Sequence, residues 1–187
     1  MSSASEVLVS AATYDEHGWC TDALGAWPVD GCTSLLAPTP SSAFAVERWD
    51  HQARRFFGCE FTTSPAKRYE AGWPVLDRGF LELRRAGHDV TSRVEVRTFP
   101  AAREPALVAR AAMAAAAMGG AGFDVLVRRT QRLWQLRAEA PLLDEDAEEL
   151  AAAVLASVML GPILARDGAL FGVKTARERL ERRRRRP

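Results

Sequence analysis

Over the first hundred positions, short apolar runs alternate with turn residues. EVLVSAATY (6–14) predicts a strand, DEHG a turn and WCTDALGAW (19–27) a second strand. PVDG (28–31) holds Asp-Gly, a strong short hairpin signal, and CTSLLAP (32–38) predicts the strand after it. TPSS breaks the pattern. AFAVERWDHQARRF (43–56) then takes a helical period that turns Phe44, Val46 and Trp49 inward. FFGCEFTT (56–63), GFLELRR (79–85) and DVTSRVEVRTF (89–99) supply later strands.

Beyond Pro100 the period lengthens. Phe123, Leu126, Val127, Thr130, Leu133 and Trp134 fall on one helical stripe, with Arg128, Arg129 and Arg132 on the other side. LLDEDAEELAAAVLASVML (142–160) opens with acids where the helix dipole favours them, and Gly161-Pro162 ends it. The last helix aligns Leu170, Val173, Ala176 and Leu180, with Glu178–Arg182 and Glu181–Arg185 at favourable i,i+4 spacing. A β-rich half (1–100) followed by an α-helical half (101–187) is an α+β pattern, the second half packed on the first or used for dimerisation. No internal repeat is present.

Composition narrows the class. An apolar fraction of 48% with 26% charged residues belongs to a globular chain. Twenty-three arginines against two lysines, in an alanine-rich sequence, read as coding bias before function. MSSASEVLVS has neither the basic start nor the apolar core of a secretory signal. The apolar runs at 111–123 and 150–165 are shorter than the roughly 20 residues a membrane span needs. Three widely spaced cysteines make no disulfide framework, so a cytoplasmic setting is expected.

The net charge of +1 conceals an asymmetry: residues 1–50 carry −6 and residues 151–187 carry +6. The tail RERLERRRRRP offers Arg182, Arg183, Arg184, Arg185 and Arg186 to nucleic acid or an acidic partner. The alternative is a solvated helix end whose arginines suit the C-terminal dipole. No aromatic residue interleaves with them.

Candidate chemistry is sparse. His17, Cys20 and Cys32, completed by Cys59 or His51, would make four metal ligands. The C-x2-C knuckle of structural zinc sites is missing, and buried cysteines in hairpins explain the same residues, so no metal is expected. Cys59 lies in an apolar run with no nearby histidine, which reads as a buried thiol rather than a nucleophile. GGAGFD (119–124) follows a helical stretch, not a strand, and so predicts a helix–helix connection rather than a phosphate loop.

The opening VSAATYDEHGWCTDALGAWPVDGCTSLLAPTPSSAF resembles the start of the flavin-reductase-like split β-barrel, whose FMN-binding members show this order of strands and turns over residues 6–46. The resemblance implies a homodimeric flavoprotein, an oxidoreductase with FMN at the subunit interface. The isoalloxazine would lie near Gly25, Ala26 and Trp27, and the phosphate near Thr39, Ser41 and Ser42. Small residues at 23, 25 and 26 would admit a flat ring, and hydroxyls at a helix start suit a phosphate. No basic residue precedes Arg48, so the phosphate would need Arg54, Arg55, Lys67 or Arg68 brought in by the fold or by a second subunit. No catalytic side chain is identified. A cofactor-free interaction or assembly protein of the same architecture is the alternative.

Overall fold

A computed structural model describes residues 26–41, 45–64, 79–87, 91–119, 122–139 and 145–184. Among these residues, seven antiparallel strands form one open sheet in the order β2-β3-β4-β5-β1-β6-β7. They are β1 (Thr33–Ala37), β2 (Cys59–Ser64), β3 (Gly79–Arg85), β4 (Thr91–Pro100), β5 (Arg132–Ala138), β6 (Ile163–Leu164) and β7 (Leu170–Phe171). The helices are α1 (Val46–Gln52), α2 (Pro105–Ala117), α3 (Phe123–Arg128), α4 (Glu145–Met159) and α5 (Val173–Arg184). The protein is α+β as the pattern predicts, but among the described residues the sheet does not close into a barrel.

Strand alternation gives the sheet two faces. One carries Leu35, Phe61, Leu81, Leu83, Val94, Val96, Trp134 and Leu136, all in the larger core cluster. Against it lies α4, whose Ala147, Ala151 and Ala152 present small side chains and whose Leu150, Val154 and Leu155 fill the space between. Trp49 of α1 completes this core, meeting Phe61 and Trp134 edge-to-face at 6.2 and 5.8 Å. Across the sheet, Leu36, Phe99, Leu133, Leu164 and Leu170 pack under Leu107 and Ala111 of α2 and Val127 of α3.

Two expectations need correction. The helical stripe that included Leu133 and Trp134 ends with α3, and the segment from Arg132 to Ala138 is a strand in the middle of the sheet. A strand buried on both faces is apolar at consecutive positions, which a helical window also accepts. Leu133 and Trp134, one residue apart, point to opposite faces and enter different cores. The period change at Pro100 is likewise no boundary of the sheet. β1, from the β-rich half, pairs with β5 and β6, both from the half read as helical.

Other elements follow the pattern closely. Strand 79–85 is observed as predicted, and the last two helices run over 145–159 and 173–184, but Leu170, expected on the last helix, lies in β7. The helix expected over 43–56 runs as α1 and continues as a π-helical turn, Ala53–Phe57. PVDG is a turn, closed by the Gly31 N–H donating to the Pro28 carbonyl at 2.9 Å, but the strand after it pairs with β5 and β6. The strands expected before it lie outside the described residues, except for Ala26–Trp27, which are not in a strand. Gly119 and Gly122, both at positive φ, flank the α2–α3 connection.

Candidate functional site

The residues singled out for FMN separate to the two ends of β1. At one end, Gln135 of β5, opposite Ser34, accepts from the Trp27 N–H at 2.7 Å and donates to its carbonyl at 2.9 Å. The Trp27 ring lies 4.0 Å from the Arg97 guanidinium and 4.4 Å from that of Arg137, and Trp27 is only 6% exposed. At the other end, the Thr39 hydroxyl accepts from the Ser41 N–H at 3.2 Å, and Arg132 Nε donates to the Pro40 carbonyl at 2.7 Å. The fold therefore brings a basic residue to this loop, one that the sequence pattern put on the polar side of a helix. Ala26 is half-buried beside Trp27; Gly25 and Ser42 lie outside the described residues.

Cys32 and Cys59 do not come together. Cys32 Sγ is 3.8 Å from Ser34 Oγ, on the face of Leu36, whereas Cys59 joins the core on the other face. Four strand spacings, about 19 Å, separate β1 from β2. Burial pushes the Cys32 thiol up from 9.0 to about 11, an inert thiol at neutral pH. Among the described residues, no group of three or more His, Cys, Asp or Glu could hold a metal ion. His17 and Cys20 lie outside them.

Part of the basic tail is used internally. Arg179 and Arg183 of α5 both reach Glu149 of α4 at 2.8 Å, Arg179 also meets Asp167 at 3.0 Å, and Arg183 meets Asp146 at 2.8 Å. The hydrogen bond to Glu149 raises the Arg179 pKa further. Arg182 turns back to the Glu178 carbonyl. Side-chain positions for 184–186 lie outside the described residues. Next to this cluster Glu148, fully buried, accepts two hydrogen bonds from Arg166, one from the Ala138 N–H at 2.6 Å and one from the Thr33 hydroxyl at 3.4 Å.

A more open site lies at the end of α4, a cleft of about 670 Å³ between the π-turn, α3 and the start of α5. Its walls include Phe56 and Phe57, Phe123 and Leu126, with Leu160 at the mouth. Phe56 is 41% and Leu160 72% exposed. Leu160 also has φ +61°, a left-handed backbone that costs a non-glycine residue roughly 1–2 kcal/mol.

The next residue explains how that geometry is held. A Cβ on Gly161 would stand 2.1 Å from the Leu36 carbonyl oxygen, so only glycine lets the chain pass β1 this closely. The Leu36 N–H then donates to the Pro162 carbonyl at 3.0 Å. Lys174, Arg177, Glu178 and Glu181 of α5 add charge to the rim, and no acidic residue occupies the first turn of α5. Sequence reading marked Gly161-Pro162 only as a helix stop. The walls come from four separate segments, and no local pattern connects them.

No helix among the described residues is long and apolar enough to cross a membrane. Comparison with known proteins found no matching family model, no matching curated protein and no matching solved structure.

Proposed function

We propose that this is a ligand-binding protein whose cleft takes a small molecule with an apolar or aromatic body and an anionic end. The observation that carries the reading is Leu160, held exposed and left-handed at the mouth of the cleft by the fit of Gly161 against β1. A volume of about 670 Å³ suits a small ligand. The body would rest on Phe56, Phe57, Phe123 and Leu126. The anionic end would meet Lys174, Arg177 and the N-terminal end of α5, whose dipole favours negative charge.

Titration with 8-anilino-1-naphthalenesulfonate tests this reading, because that probe joins an aromatic body to a sulfonate. The expected result is a saturable, one-to-one fluorescence rise that Phe56→Ser and Lys174→Glu each weaken. No saturable rise, or binding by both variants as tight as by the unchanged protein, overturns the proposal.

The flavin expectation stands as a second reading, favoured by Arg132 at the Thr39–Ser41 loop. The hydroxyls and guanidinium there suit a phosphate. The ring end fits less well, because Trp27 fills its place and an isoalloxazine would have to displace it. Bound FMN would supply redox chemistry, and these residues would hold its two ends. A visible absorbance spectrum followed by FMN titration decides: quenching of flavin fluorescence, lost in Arg132→Gln, supports it, and no quenching removes it.

A further inference from the structure

A second pocket, of about 540 Å³, also borders the π-turn but shares no lining residue with the apolar cleft. Arg54, Arg84 and Arg85 line it together with Glu60, Cys59, Gly58 and Gly87. Three guanidiniums therefore face one lining carboxylate.

The three are not equivalent. Arg54 and Arg84 share Glu60: Arg54 reaches Oε1 at 3.0 Å, and Arg84 Nε reaches Oε2 at 2.9 Å. Asp50 of α1 adds a second carboxylate to Arg54 at 2.8 Å. Arg85 is placed differently. It pairs in register with buried Cys59, and its Nη2 is buried without a hydrogen-bond acceptor among the described residues. A buried charged donor left unsatisfied is costly, and native structures retain few of them.

We propose that this pocket is an anion site for a phosphate-bearing ligand, with the Arg85 guanidinium as its principal donor and Arg84 supporting it from the mouth. Guanidinium forks match phosphate oxygens in pairs, and a dianion balances the surplus of positive charge on the lining. Gly58 and Gly87 bring no side chain into the pocket, so the ligand can approach the backbone of both turns. Glu60 shows the chemistry in miniature, as one internal carboxylate already drawing in two arginines.

Thermal unfolding in inorganic phosphate, against chloride at the same ionic strength, tests the site on the full chain. The expected result is a saturable rise of Tm specific to phosphate. Arg85→Gln should abolish it, and Arg84→Gln, a change at an exposed side chain, should weaken the affinity about tenfold. Arg128→Gln, on α3, should leave it intact. If Arg85→Gln does not fold, the Arg84→Gln titration carries the decision. Equal Tm in phosphate and chloride, or a phosphate response unchanged in the arginine variants of the pocket, overturns the proposal. Phenyl phosphate run beside inorganic phosphate shows whether the source is an organic phosphomonoester or the free ion, since the better ligand gives half its Tm rise at lower concentration.

Discussion

Glu148 and Glu60 make nearly the same bonds in opposite surroundings. Each carboxylate takes Nε and Nη2 of one arginine, Arg166 across both oxygens of Glu148 and Arg84 on Oε2 of Glu60, and each adds further donors. Glu148 is fully buried, while the Glu60 side chain is 34% exposed and that of Arg84 57% exposed. In water the pair competes with solvation and salt, so the net gain is small. Inside, the charges interact strongly but each loses its hydration, and removing one partner strands the other. Geometry alone therefore does not rank the two clusters; burial does.

Breaking the comparison at its strongest point means Arg166→Met. Chemical denaturation should show a loss of about 3–5 kcal/mol, because Glu148 remains buried with only the Thr33 hydroxyl and the Ala138 N–H. A loss as small as that of a surface variant would mean that water reaches Glu148 once Arg166 is gone. Next in size is Glu149→Gln, which removes the carboxylate shared by Arg179 and Arg183 but leaves them Asp167 and Asp146. A loss of about 1.5–3 kcal/mol is expected in the same assay.

A smaller effect appears with acid. Burial opposes ionisation of Asp167, but the Ala169 N–H and Arg179 outweigh it and hold the carboxyl below its ordinary 3.8. A depressed folded pKa gives stability that is present above 3.8 and lost as the pH falls through the folded value. Asp167→Asn should therefore reduce stability at neutral pH and flatten this part of the acid profile, as followed by circular dichroism. The smallest effect belongs to Glu60→Gln. Hydrogen bonding by Arg84 lowers the Glu60 pKa, yet the group is exposed, so the urea midpoint should move little and less still in high salt.

The same contrast explains what could be read in advance. Strands covered on one face and helix starts carry local patterns: GFLELRR, one strand in from the edge, alternates buried and half-exposed positions, and the acids of LLDEDAEEL sit at a helix start. The sheet centre does not. RLWQLRA is buried on both faces, and its strand form depends on β1 and β4, which lie far off in sequence. Glu148 and Glu149 looked like residues placed for the helix dipole. Their partners are Arg166, Arg179 and Arg183, up to 34 positions away, and no spacing rule links such pairs.

Neither candidate pocket could be read locally. The apolar cleft needs four segments to converge. The basic pocket needs Arg85 turned inward at a strand end, where an arginine in a local pattern would read as solvent-facing. Arg132 at the Pro40 carbonyl follows the same rule, joining positions 92 apart.

The central place of β1 also has a meaning in time. Thr33–Ala37 leaves the ribosome early, but its neighbours are residues 132–138 and 163–164. At about 5–20 residues per second, synthesis of the first neighbour lags by roughly 5–20 s. During that interval the apolar TSLLA segment has neither of its two hydrogen-bonded partner strands. Chain closure over such separations slows folding, so this inner strand is paired only after the segments that flank it have been made.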